Sequence, residues 1–137
     1  MSARRHRWLD HTSEVQLEVE AESPAGLAAE AGRALGFLML RGAPAAVAGP
    51  ARVLEVSSVD REALLVDWLN EILFVAETQR WVPVEFEVAE SSPTRLRVAA
   101  RGVPVAEVPS SVKAATFHGL RVEERDGLFR AEVIFDV

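Results

Sequence analysis

Five polar residues in a row, Asp10-His11-Thr12-Ser13-Glu14, lead into an alternating segment. They offer hard oxygen donors beside one imidazole. Two readings are open. Asp, Thr and Ser make turns and caps, or the oxygens form a site for a hard cation, with His11 as a nearby hydrogen-bond partner. A second unusual carboxylate is Asp136, the penultimate residue, after the apolar run Val133-Ile134-Phe135. It is either a solvated terminus or a ligand placed by a strand end, with Val137 adding its carbonyl or terminal carboxylate. The third feature is Lys113, the one lysine against fourteen arginines. Coding bias accounts for this as well as a need for a compact point charge that a planar guanidinium cannot replace. Lys113 sits in Val112-Lys113-Ala114-Ala115-Thr116-Phe117-His118, which by itself reads as a central strand with a solvated lysine and a half-buried His118.

The chain has 137 residues, 49% of them apolar, and 15 basic against 21 acidic residues, a formal charge of −6. Such a length predicts a single domain over residues 1–137 with a sizeable core. The acidic balance argues against RNA or DNA binding through a broad basic surface. Cysteine is absent. That removes disulfides, zinc–thiolate sites, iron–sulfur clusters and thiol nucleophiles, and leaves oxygen and imidazole as metal donors. No phosphate-cradling glycine loop, zinc-binding His-Glu-x-x-His helix or nucleophile elbow is present. With no apolar run near the length of a membrane span and no signal-peptide apolar region after Arg4, Arg5 and Arg7, the expected location is cytoplasmic.

The elements that must position these residues follow from periodicity. Residues 1–10 read as a loose arm. Glu14–Glu20 alternates strictly, with Val15, Leu17 and Val19 on one face. Ser23 and Pro24 supply an N-cap and first helical residue for a helix whose stripe is Leu27, Ala31, Ala34, Leu35 and Leu38. Gly26, Gly32 and Gly36 weaken this helix or let it lie close on a sheet. Residues 42–50 read as a loop and Val53–Val56 as a short strand. A second helix starts near Ser58–Asp60 and presents Leu64, Leu65, Trp68, Leu69, Ile72 and Leu73 on one face. Strands around Val84–Val88 and Leu96–Ala100 follow, with acidic and basic outer rows facing each other.

Asp126-Gly127 predicts a tight hairpin. It pairs Glu123 with Arg130 and Arg121 with Glu132, and gathers Leu120, Val122, Phe129, Ala131, Val133 and Phe135 on the other face. Carried to the end, this register sets Asp136 opposite Phe117 and on one face with Ala115 and Lys113, unless a bulge, with Gly119 the candidate, intervenes. The expected class is α+β: a two-layer domain with one mostly antiparallel β-sheet and two helices packed on one face.

Taken together, Leu9-Asp10-His11-Thr12-Ser13-Glu14, Leu64-Leu65 with Trp68-Leu69-Asn70-Glu71, Val112–His118 and Phe135-Asp136-Val137 resemble the archease family. The resemblance runs in order along nearly the whole chain. It implies a non-enzymatic accessory protein that promotes guanylylation and multiple turnover of the GTP-dependent RNA-splicing ligase in tRNA splicing. The ligase joins 2′,3′-cyclic phosphate or 3′-phosphate ends to 5′-hydroxyl ends. It also implies a divalent cation, calcium, held by positions that map to Glu14, Asp136 and the main-chain oxygen of Val137. The family has Asp where this chain has Glu14, so the carboxylate must reach or coordinate differently. Lys113 matches a functionally important family lysine, and Asp10, His11, Thr12 and His118 lie in the flanking motifs. RNA is then met through the ligase.

Two other functions fit the same residues. A metal-dependent hydrolase would use the two carboxylates, with only His11 or His118 as general base. A general chaperone or binding module would expose an apolar patch, for which residues 43–51 around Val47 are the one candidate.

Overall fold

A computed structural model describes residues 4–11, 13–43 and 46–137, and for Asp10 and His11 the backbone alone. The strands are β1 (Arg5–His11), β2 (Glu14–Ala21), β3 (Ala48–Ser57), β4 (Trp81–Ser91), β5 (Arg95–Pro104), β6 (Ala114–Arg125) and β7 (Leu128–Asp136). The helices are α1 (Pro24–Met39) and α2 (Arg61–Gln79). The class is α+β with antiparallel pairing throughout, as the periodicity predicts.

The expected single sheet is divided in two. One has the strand order β1-β2-β7-β6, the other β3-β5-β4. The helix pair is shared between them: α1 packs on β2 and β4, and α2 on β6, β4 and β3. One apolar cluster runs through both sheets and both helices, with Leu17, Leu35, Trp68, Val98 and Phe135 among its fully buried members.

Both helices begin as their sequences dictate. The Ser23 hydroxyl accepts from the Gly26 N–H and the Asp60 carboxylate from the Ala63 N–H, so each cap satisfies an otherwise orphaned donor. All six residues of the expected α2 face are buried. In α1 the glycines serve close packing: a Cβ at Gly36 would stand 2.4 Å from the Pro83 carbonyl oxygen, and one at Gly32 would meet the Phe86 ring at 2.9 Å.

Three expectations are corrected. The supposed arm at residues 1–10 is mostly strand β1, whose charges pair outward as Arg5–Glu20 and Arg7–Glu18 while its backbone extends the sheet. The loop at 42–50 ends early, because β3 begins at Ala48 and reaches regular pairing only after an irregularity between Ala48 and Arg52. The segment containing Lys113 is not a central strand. β6 is an edge strand, it starts at Ala114, and His118 on it is exposed.

The acidic and basic rows of β4 and β5 meet in part. Glu85 lies 3.8 Å from Arg101, whereas Arg97 pairs with Glu55 of β3 at 3.2 Å.

Candidate functional site

The start of β2 and the end of β7 are brought together by register. Glu14 lies directly opposite Asp136, and Asp136 in turn lies opposite Ala114 of β6. His11 of β1 is opposite Glu14. One register row therefore crosses all four strands as His11, Glu14, Asp136, Ala114. Directly opposed antiparallel residues have Cβ atoms about 4.5–5.5 Å apart, so the Glu14 and Asp136 side chains leave the sheet as neighbours on one face.

The chain termini of this row are tied down. The Val137 N–H donates to the Ser13 carbonyl at 3.2 Å, and the Lys113 N–H donates to the Asp136 carbonyl at 2.8 Å. Ser13 takes a left-handed backbone, φ 59°, in the turn between β1 and β2. Asp136 is exposed and Glu14 and Val137 are half-buried, an arrangement open to water. Asp136 is thus part of a paired strand, not a loose tail.

Like charges directly opposed in a sheet are destabilising. The same two strands oppose a second acidic pair, Glu18 and Glu132, but there Arg7 forms an ion pair with Glu18 and Arg121 lies opposite Glu132. For Glu14 and Asp136 no ion-pair partner occurs among the described residues. The side chains the register sets together here are two carboxylates, and Val137 is the next residue along the chain. That composition suits a hard divalent cation that keeps several waters. Among the described residues no group of three or more His, Cys, Asp and Glu side chains that could hold a metal ion is assembled.

Lys113 is exposed and precedes β6. The extrapolated register is corrected here. Asp136 faces Ala114, not Phe117, and Ala115, opposite the fully buried Phe135, points to the other face. The expected shared face of Asp136, Ala115 and Lys113 therefore does not form; Lys113 lines a groove with Phe74 and Glu77 of α2. The cause is the irregularity between Thr116 and Arg121, where Gly119 takes φ +67°. The bulge leaves the Glu123–Arg130 and Arg121–Glu132 pairs as the turn sets them, but slides the far end of β6 by three residues. His118 falls on this bulge and is not in the row. Thr12 lies outside the described residues, as do the side chains of Asp10 and His11, and the candidate patch at 43–51 includes Pro44 and Ala45, which also lie outside them.

One positioning residue, Asn70, is named in the Trp68-Leu69-Asn70-Glu71 motif but has no role assigned from the sequence alone. The Asn70 side chain, on α2, accepts from the Ala115 N–H at 2.8 Å and donates to the Ala115 carbonyl at 3.1 Å. Both backbone groups of an edge-strand residue are satisfied by one amide, which locks the start of β6 beside Lys113. An Asn amid the apolar periodicity of α2 was the available signal. On the same side of the molecule, Phe74 and Glu77 of α2 line an open groove with Ser110, Ser111 and Lys113, and the Phe74 ring is 61% exposed. The neighbouring Glu71 carboxyl is pushed above the usual carboxylate range by burial.

Residues 6–137 match the sequence profile of the archease protein family. The chain is 32% identical over 136 residues to the protein archease of Methanopyrus kandleri, covering 94% of this chain and 96% of that protein. Its fold is similar to the solution structure of protein 1598 of Methanobacterium thermoautotrophicum, with a TM-score of 0.76 and 26% identity over 96% of this chain and 98% of that one. The crystal structure of a Thermotoga maritima protein, described as an archease and possible chaperone, shares the fold at a TM-score of 0.68 and 19% identity, covering 94% of each chain. The chain belongs to the archease family.

Proposed function

We propose that the chain is a non-enzymatic accessory protein of a GTP-dependent RNA-splicing ligase, promoting guanylylation and repeated turnover of that ligase in tRNA splicing and RNA repair in the cytoplasm. The observation that supports this reading is the directly opposed Glu14–Asp136 pair, which has no ion-pair partner among the described residues, with the Lys113 N–H bonded to the Asp136 carbonyl. In this reading Glu14, Asp136 and the Val137 main-chain oxygen hold a divalent cation, with calcium the first candidate. When bound, the cation supplies charge stabilisation for nucleotidyl transfer on the ligase. Lys113 contributes a compact positive charge that meets a phosphate or a ligase carboxylate. Asn70 holds the start of β6, next to Lys113, in place, and Asp10, His11, Thr12 and His118 lie in the flanking motifs. With a formal charge of −6, RNA is met through the ligase.

The test is single-round guanylylation of the cognate ligase with labelled GTP. The wild-type protein is expected to accelerate label transfer, and Lys113→Ala and Asp136→Asn to lose most of that acceleration while remaining folded. Equal acceleration by both variants overturns the assignment of these residues. Calcium is expected to raise the melting temperature of the wild type but not of Asp136→Asn, since an ion bound only by the folded state at about 100 times its Kd stabilises by about 2.7 kcal/mol.

A general chaperone role is the second reading, favoured by the exposed rings of Phe37, Phe74 and Phe117. It predicts protection of unrelated client proteins from aggregation that is indifferent to Lys113→Ala.

A further inference from the structure

Helix α2 and the segment leading into β6 line an open groove of about 640 Å³. Asn70, Phe74 and Glu77 recur at helical spacing, so they share one stripe of α2, and all three line the groove. Ser110, Ser111 and Lys113 come from the segment before β6. The Asn70 amide is spent on the backbone of Ala115, so it fixes this wall and offers a bound molecule nothing. The Ser110 hydroxyl accepts from the Val112 N–H at 3.2 Å and keeps its own proton to donate.

Three groups in the groove have no partner among the described residues. The Phe74 ring is exposed and stacks on no other ring. Glu77 and Lys113 are exposed, and neither forms an ion pair. The groove thus offers an aromatic plane, a carboxylate one helical turn along from it, and a compact cation on the facing segment. A flat ring with donors on one edge and an anionic tail answers all three. The carboxylate narrows the choice, because its two oxygens accept from two donors side by side. Guanine alone among the common bases presents two adjacent donors, N1–H and the 2-amino group. Adenine and cytosine set an acceptor beside their amino group, and uracil has a single donor between two carbonyls. The formal charge of −6 disfavours a long polyanion such as RNA, whereas one phosphate chain needs only a local cation.

We infer that the groove between α2 and the Ser110–Lys113 segment is a binding site for a guanine nucleotide, with the base on Phe74, its donor edge on Glu77 and its phosphates on Lys113. Stacking on an aromatic ring holds the base whatever its identity, the carboxylate selects guanine, and an ammonium meets phosphate as a point charge. The inference deepens the ligase reading and rests on it for the fate of the nucleotide, which is GTP that the ligase consumes. Lys113 links this groove to the carboxylate row, since its own N–H donates to the Asp136 carbonyl.

The experiment titrates GTP, ATP and guanosine into the full-length protein by calorimetry, with calcium present and no ligase. It compares the wild type with Phe74→Leu, Glu77→Gln and Lys113→Ala, and follows stimulated ligation by the cognate ligase in parallel. Both α2 side chains are exposed, and thermal melting confirms that each variant is folded. The wild type is expected to bind GTP about tenfold more tightly than ATP, the discrimination a bidentate pair supplies. Phe74→Leu is expected to weaken GTP and ATP alike by about tenfold. Glu77→Gln is expected to remove the preference for GTP. Lys113→Ala is expected to weaken GTP by about tenfold, as loss of a charge-assisted contact does, and to leave guanosine unchanged. Absence of saturable GTP binding, or equal binding of ATP and GTP by the wild type, overturns the site; if that protein still stimulates ligation, the ligase reading stands. Phe74→Leu and Glu77→Gln that hold GTP as the wild type does but lose affinity for the ligase also overturn it, and make the groove a protein-docking surface. Selective GTP binding without any effect on ligation supports the site and overturns the ligase reading.

Discussion

Asp136 shows what one residue reveals and what it hides. A carboxylate after Val133-Ile134-Phe135 is out of character for a strand, so it stood out in the sequence; that it lies directly opposite Glu14 comes only from the register. Asn70 was harder to read because it bonds backbone groups 45 residues away, which no side-chain pattern encodes. Asn70→Ala removes both bonds and leaves the Ala115 N–H and carbonyl unpaired in a partly buried place. It is expected to cost about 1–3 kcal/mol, read as a lowered denaturation midpoint, and to loosen amide protection around Ala115 in hydrogen exchange. Glu71 gives a pH signature. Burial raises its folded pKa above the unfolded value, so between the two values the folded state binds more protons. Its penalty therefore grows as pH rises through that window and is complete above the folded pKa. Glu71→Gln is expected to stabilise the protein at neutral pH and to flatten that part of the stability–pH curve. An unchanged curve contradicts the burial assignment.

At the scale of elements, the strongly periodic pieces were legible and the weakly patterned ones were not. The α2 face, both helix caps and the 121–132 hairpin register follow from apolar spacing, cap chemistry and Asp126-Gly127. β1 was missed because an edge strand shields itself with charge, and Arg5, His6 and Arg7 read as solvated when each in fact has an acidic partner across the fold. The start of β6 was misplaced because the sequence offers Gly119 as a candidate bulge but not whether it forms or how far it slides the register. Helix α1 carries the sharpest test of packing against propensity. Gly36→Ala improves intrinsic helicity by up to about 1 kcal/mol, yet its Cβ would be driven into the Pro83 carbonyl oxygen. Such an overlap typically costs about 1–3 kcal/mol, so a net loss of stability is expected by chemical denaturation, with a gain refuting the close approach of α1 to β4.

The whole molecule is two antiparallel sheets sharing one helix pair and one core. The class was readable from element order; the division into two sheets was not, because it depends on which strands meet and not on what each strand looks like alone. β7 runs the length of this frame, from Phe129 to the carboxylate row at Asp136. The most direct test of the central claim is multiple-turnover RNA ligation with substoichiometric cognate ligase, GTP and divalent cation. With wild-type protein the ligase is expected to cycle well past one product per enzyme, and with Lys113→Ala or Asp136→Ala to stop near a single round. Ligation that stays at a single round with folded, cation-supplied wild-type protein would contradict the account.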